Sequence, residues 1–289
     1  MKKLELGMYG LSRLNPYVEG YGVIAKTRAL EVLITGWNSG IRFVDTAPGY
    51  GNGAADDLIK NVRLDGFKFN VCSKIGLDIY RNQFKKNLQD IYSDVDNIAR
   101  NHDGYVSRVL IHSPPRELIS DQATCSRIIL YIRKVLGNQV TVGISLKSPN
   151  DLADCMWGIT QSSFVFQSNF SWLDTRIRKI ALNLGVGIIA RSIYGSGILA
   201  VLYDVFHNKP ARPIFDSTDI RRSWDIQGIL RNATPEITEF RQECSRNTSA
   251  SLDELVASLI QREDFIKGAI LGPTTVQELK STLEAFMFC

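Results

Sequence analysis

Short runs rich in Val, Ile and Phe recur along the chain, separated by longer segments whose apolar residues return every three or four positions. The runs are 4–8, 41–47, 69–74, 106–113, 139–145, 163–169, 185–192 and 267–272. Their apolar character is nearly continuous rather than alternating, the pattern of a strand buried on both faces. The intervening segments read as amphipathic helices: residues 27–39 place Ala29, Leu30, Val32, Leu33 and Trp37 on one face. Residues 82–100, 121–136, 175–184 and 274–286 behave in the same way. Helix starts are marked by Ser148-Pro149 before 150–157, Ser251 before LDELVASLI and Thr274-Thr275 before VQELKSTLEAF. Eight strand–helix units without a break in composition predict an α/β fold. They fit a single (β/α)8 TIM barrel over residues 1–289, with a long loop after strand seven at 203–235. That loop carries Pro210, Pro213, Arg221-Arg222 and Trp224. An open, doubly wound sheet is the alternative that the pattern alone leaves standing.

Composition narrows the class. The apolar fraction of 44% and charged fraction of 22% are those of an ordinary soluble globular protein. A net charge of +4, spread over 34 basic and 30 acidic side chains, argues against a nucleic-acid partner. Five scattered cysteines without a CxxC pair argue against a disulfide framework or a zinc site and favour a reducing compartment. The amino-terminal MKKLELGMYG lacks an apolar core of signal-peptide length. The most apolar stretch, 185–202, contains Arg191 and several glycines and serines, so it reads as a strand and loop rather than a membrane span. The expectation is a soluble, cytoplasmic protein with no membrane partner.

A parallel barrel gathers the carboxyl ends of its strands on one face, where active sites form. Strand two ends in Asp45, with Tyr50 in the following loop; strand three ends in Lys74 and strand four in His112. Taken singly, Asp45 reads as a loop cap, Lys74 as a rim charge and His112 as a core histidine. Together they make a proton donor for a carbonyl. A free phenol titrates near pH ~10 and donates poorly at neutral pH. A lysine ammonium beside it favours the phenolate, and an aspartate keeps that lysine charged and placed. Histidine is suited to hold the carbonyl oxygen. None of these groups supplies hydride, so redox chemistry here requires a nicotinamide cofactor. Strand five ends in Ser145, strand six in Gln167 and Asn169, and strand seven in Arg191-Ser192. GYGNG at 49–53 lacks the GxGxxG spacing of a dinucleotide turn. The GSG at 195–197 and the GPTT at 272–275, which opens the last helix, are the better phosphate cradles, as is usual after strands seven and eight of a barrel.

These segments resemble the aldo-keto reductase family over nearly the whole chain. FVDTAPGYGNG resembles its aspartate–tyrosine segment, SKIG its lysine segment, LIHSPP its histidine segment, and VGIS the segment whose serine meets the nicotinamide amide. FQSNFSWLDTR, ARSIYGSGIL and LGPTTVQELKSTLEAF resemble the glutamine–asparagine stretch, the pyrophosphate loop and the adenine-side helix. YGVIAKT at 21–27 and ARSIYGSGIL look closest to a bacterial branch of sugar or polysaccharide-biosynthesis reductases.

The resemblance implies Tyr50 as general acid/base, tuned by Lys74 and Asp45, with His112 orienting the carbonyl. It implies Ser145 and Gln167 on the carboxamide, Arg191 against the nicotinamide ring, Ser192, Gly195 and Gly197 at the pyrophosphate, and Gly272, Thr274, Thr275, Glu278 and Thr282 around the adenosine. There are departures. Leu146 stands where the family has asparagine, Glu278 where NADPH-selective members carry arginine, and Ser281 and Thr282 where a Glu-Asn pair meets adenine. NADP(H) is the expected cofactor, and Glu278 keeps NAD(H) open. The family's substrate-covering tail is expected to be missing, since the sequence ends at Cys289. Substrate choice falls to the loops at 9–22, 76–84, 114–120 and 203–235, with Tyr17, Tyr80 and Trp224 as candidate contacts. Tyr21, Arg81, Arg116, Arg212, Arg221 and Arg222 lie in the same loops, and the arginines hint at an anionic substrate. The expected activity is NAD(P)H-dependent reduction of a small aldehyde, ketone or sugar-like carbonyl, or oxidation of the alcohol. A redox-neutral epimerase with bound nicotinamide and a non-catalytic cofactor sensor are the competing readings.

Overall fold

A computed structural model describes residues 2–18, 20–155, 157, 164–209, 215 and 219–288. Eight parallel strands close on themselves in sequential order. They are β1 (Lys3–Gly7), β2 (Phe43–Asp45), β3 (Asn70–Ile75), β4 (Val106–His112), β5 (Thr141–Ser145), β6 (Phe164–Asn169), β7 (Ile188–Arg191) and β8 (Ile266–Leu271). All eight coincide with the predicted runs to within a few residues, because strands buried on both faces are apolar throughout. The outer helices are α1 (Lys26–Asn38), α2 (Ala54–Leu64), α3 (Leu88–His102), α4 (Gln122–Leu136), α5 (Arg176–Leu184), α6 (Ile198–Phe206), α7 (Thr234–Arg246), α8 (Leu252–Arg262) and α9 (Val276–Phe288). Each lays an apolar stripe on the barrel: Ala29, Val32 and Leu33 from α1, and Leu255, Val256, Leu259 and Ile260 from α8, are all buried.

The register sets the height of the site. Gly7 pairs with Asp45 and Asp45 with Cys72, while His112 pairs with Ser145, Ser145 with Gln167 and Asn169 with Arg191. The polar strand ends therefore stand level on one rim. Gly143 of β5 has a structural reason: a Cβ there would lie 2.0 Å from the Val165 carbonyl oxygen.

Several predicted boundaries move. The helix expected at 82–100 begins at Leu88, where the Asn87 side chain accepts from the Gln89 amide and caps it. Before it, Leu77–Asp78 and Gln83–Phe84 pair as a small antiparallel ribbon. The helix expected at 150–157 spans only Asp151–Asp154, since Ser148 does not cap it and Asn150 stands at its N-cap. Helix α2, not among the predicted helices, buries Ala55, Leu58, Ile59 and Val62. Residues 203–206 of the predicted loop belong to α6, so the insertion follows that helix rather than the strand. Pro210, Arg212, Pro213 and Cys289 lie outside the described residues. Cys72, Cys125, Cys155 and Cys244 are free and buried. No described helix is long and apolar enough to cross a membrane.

Candidate active site

The carboxyl ends of the strands open into a cavity of about 750 Å³ whose walls include Asp45, Tyr50, His112, Gln167, Asn169 and Arg191. Asp45 closes β2 and Lys74 rises from β3 beside it. The Lys74 ammonium donates to Asp45 Oδ1, to the Thr46 carbonyl at 3.1 Å and to the Tyr50 hydroxyl at 3.4 Å. Lys74 is only 1% exposed, so its charge depends on these partners. Tyr50 opens a tight turn in which Gly51, Asn52 and Gly53 take left-handed conformations. Only glycine fits at 51, because a Cβ would lie 2.1 Å from the Ser12 carbonyl oxygen. The His112 ring meets the Tyr50 ring edge-on at 6.2 Å, and the Tyr9 ring meets the Tyr50 ring edge-on at 5.1 Å.

Electrostatics follow from burial and neighbours. Burial opposes the Lys74 ammonium, yet Asp45 and Tyr50 outweigh it and hold the amine above its ordinary range. Burial raises the Tyr50 phenol by more than Lys74 lowers it, so its net direction is upward, opposite to the lowering expected from a lysine neighbour alone. Burial, reinforced by Lys74 and Arg191, pushes His112 well below its ordinary range and keeps it neutral. The arrangement is a protonated phenol, a charged amine behind it and a neutral imidazole facing the same space.

A second network adjoins the first. Gln167 Nε2 donates to Asp45 Oδ2 at 2.9 Å, and Ser145 Oγ donates to Gln167 Oε1 at 3.0 Å. The Arg191 guanidinium donates to Asn169 Oδ1 at 3.0 Å, to Ser145 Oγ at 2.9 Å and to the Leu146 carbonyl at 2.7 Å. Leu146 thus takes part through its backbone where its side chain has no polar group.

From this corner the cavity runs along a cleft. Ser192, Gly195, Ser196 and Gly197 all have positive φ, and α6 begins directly after them. Lys209 and Arg221 line the same cavity. Arg221 pairs with Asp219, donates to the Ser196 carbonyl at 2.8 Å and lies over the rings of Tyr21 and Phe215 at 4.2 and 4.1 Å. Tyr21 donates to Ser196 Oγ at 3.3 Å, and the Ile220 amide donates to the Gly20 carbonyl at 3.2 Å. The loop after β1 and the segment after α6, which flank β8, therefore join over the 192–197 turn. The far end holds carboxylates. Asp253 accepts from Tyr194, Ser281 and Thr282. Glu278 Oε2 accepts from the Thr274 amide at 2.7 Å, the Thr274 hydroxyl at 3.0 Å and the Thr275 amide at 3.2 Å.

Tyr50, Asp45, His112, Gln167, Arg191, Ser192, Gly197, Gly272, Thr274, Glu278 and Thr282 face the cavity, and Lys74 and Ser145 stand buried just behind its wall. Gly195 shapes the turn and Thr275 caps α9 by accepting from the Glu278 amide at 3.1 Å. Thr282 is turned toward Asp253 and Tyr194 rather than left free. Tyr17 is 94% exposed and outside the lining. Tyr80 donates to the Gly49 carbonyl at 3.2 Å, and Trp224 packs edge-on to Tyr21, both outside the lining. Sequence reasoning missed Tyr9 and Asp253. Tyr9 lies two residues past β1, where the loop rule applied to the other strands would have found it; Asp253 reads as an ordinary first-turn acid of α8.

Three solved structures share the fold at low identity. A glycerol dehydrogenase from Gluconobacter oxydans superposes with TM-score 0.69 at 15% identity, covering 98% of this chain and 86% of its own. The holo form of an aldo-keto reductase from Bacillus halodurans gives 0.68 at 16%, covering 98% and 86%. A structure from Pseudomonas aeruginosa described as a putative aldo-keto reductase gives 0.62 at 15%, covering 98% and 89%. No curated protein sequence matches the chain. The sequence model of the Aldo/keto reductase family matches residues 3–288. The chain belongs to the aldo/keto reductase family, and is an oxidoreductase that uses a nicotinamide cofactor.

Proposed function

We propose that the whole chain acts as one domain that reduces a small aldehyde, ketone or sugar-like carbonyl, with Tyr50 as the proton donor. The observation that carries this reading is the Lys74 ammonium, bonded to both Asp45 and the Tyr50 hydroxyl at the wall of the cavity. The cleft's donor set fits a nicotinamide dinucleotide. Hydroxyl and amide groups of Ser145, Gln167 and Asn169 stand at the reacting end. A left-handed turn and a helix start suit a pyrophosphate in the middle, and hydrogen-bond acceptors at the far end suit ribose hydroxyls. Such a cofactor supplies the hydride. The chain's residues do the rest. Neutral His112 and the Tyr50 hydroxyl hold the carbonyl oxygen, and Tyr50 passes its proton to that oxygen. Lys74 stabilises the phenolate left behind, and Asp45 keeps Lys74 in place.

Two finer points extend the reading. Glu278 already fills the amide pocket at the start of α9, so a 2′-phosphate meets a carboxylate there; NAD(H) is favoured over NADP(H). Arg81, Arg116 and Arg221 pair with Asp78, Asp154 and Asp219, which favours a neutral carbonyl over an anionic one.

Tyr50→Phe tests the core of this. Turnover of a carbonyl substrate should fall about 10²–10⁴-fold while nucleotide binding, read by tryptophan quenching, is retained. The parent's reductive rate should stay level through neutral pH and fall only above the ordinary phenol range. Undiminished turnover in Tyr50→Phe removes the phenol from the reaction.

A further inference from the structure

Below Asp45 the barrel is not apolar. Glu5 of β1 is 1% exposed and Arg108 of β4 is 7% exposed. One guanidinium nitrogen of Arg108 donates to both Glu5 oxygens, at 2.9 and 3.0 Å. A carboxylate oxygen of Glu5, one of Asp45 and the Cys72 sulfur all lie within 4.8 Å of one another. Four charges thus run up the barrel interior as Arg108, Glu5, Asp45 and Lys74, positive, negative, negative, positive, and the row ends on the Tyr50 hydroxyl. Two carboxylates this close in a buried site repel each other, and each is matched by its own cation.

Stability alone is a poor reason for the lower pair. Replacing a buried ion pair by apolar residues of similar volume is often neutral or stabilising. Its placement gives a better reason. Burial opposes the Arg108 charge, but Cys72, Glu5 and Asp45 together outweigh it, so Asp45 lies within its field. Without Glu5, the positive charge of Arg108 acts on Asp45 and on the phenol unopposed.

We propose that Glu5 and Arg108 are a balancing pair: Glu5 engages the Arg108 guanidinium, so that neither charge acts alone on Asp45, Lys74 and the Tyr50 phenol above them. The proposal rests on the reading of Tyr50 as proton donor. The titratable and charged groups around the row are Lys3 on β1, Asp45 on β2, Cys72 and Lys74 on β3, Arg108 and His112 on β4, Arg191 on β7, and Tyr9 beside the phenol. Cys72 is pushed up to about 12 by burial and stays a thiol. Lys74 and Arg108 are held above their ordinary ranges while burial lowers Lys3, so each variant is read against its own Tyr50→Phe counterpart, which carries every titration but that of residue 50.

The test is a titration of Tyr50 itself. Phenolate absorbance in the near ultraviolet is recorded against pH for each protein and for its Tyr50→Phe counterpart, and the difference isolates residue 50. Glu5→Gln removes a negative charge and leaves Arg108; the Tyr50 limb should move to lower pH by about one unit. Arg108→Gln should move it the other way. The double variant Glu5→Leu, Arg108→Met removes one charge of each sign and should return the limb close to the parent's. The alkaline limb of carbonyl reduction should follow in step, with nucleotide affinity unchanged, because neither residue lines the cavity. If one single variant fails to fold, the other and the double variant still decide. A Tyr50 limb that stays in place while only the thermal midpoint falls overturns the proposal, and so does a double variant displaced as far as Glu5→Gln. The phenol titration needs no turnover, so a failure of the Tyr50 reading and a failure of the pair are seen separately.

Discussion

At position 278 a carboxylate accepts from two backbone amides and a threonine hydroxyl at the start of α9, a place where a helix end attracts any anion. Glu278→Arg clears those amides and adds a cation, so the ratio of NADPH to NADH affinity should rise by about tenfold or more, read from paired quenching titrations. An unchanged ratio places the selectivity elsewhere. Single residues were legible where an apolar run stopped on a polar one: Asp45 and His112 each end a strand and Lys74 is next to last in its own, and a strand end in a parallel barrel points to one rim. Their partners were less so. Arg191 was placed correctly on its strand, but nothing local tells that its guanidinium turns toward Ser145, Asn169 and the Leu146 carbonyl. The net rise of the Tyr50 phenol was hidden for the same reason, since burial is a property of the folded surroundings.

Elements were legible where an apolar period or a cap marked them; α7, thirteen residues long and without a side-chain cap, went unpredicted. Helix α8 carries its start in four letters, SLDE, and the structure shows both halves of the box. Ser251 accepts from the Glu254 amide at 3.2 Å, and Glu254 accepts from the Ser251 amide at 2.6 Å. Ser251→Ala should cost about 1 kcal/mol and lower the thermal midpoint by roughly 2–4 °C. Because Asp253 sits in that first turn and ties Tyr194, Ser281 and Thr282 together, nucleotide affinity should weaken in parallel. A lowered midpoint with unchanged affinity would show that the turn holds its shape without the cap. The ribbon at 77–84 escaped notice because two-residue strands carry no period, and its first residues follow the left-handed Gly76.

At the scale of the molecule, closure of eight strands was legible because every strand announced itself and no composition break interrupted the series. The interior charge row was not. Glu5 and Arg108 are 103 positions apart, and the pairing exists only once the barrel closes. The loops that meet above the 192–197 turn are a similar product of closure, joined through Arg221, Tyr21 and Ser196. Their meeting has a consequence in time. A nucleotide lying beneath such a clasp would leave at a pace set by the opening of these contacts as well as by its own. Arg221→Ala should hasten nucleotide departure by about tenfold in a stopped-flow chase, and an unaltered rate would show that the clasp is no barrier. If the chase bears this out, the tempo of nucleotide exchange is set by an arginine that stands apart from Tyr50 and His112, at the pyrophosphate turn rather than at the reacting corner.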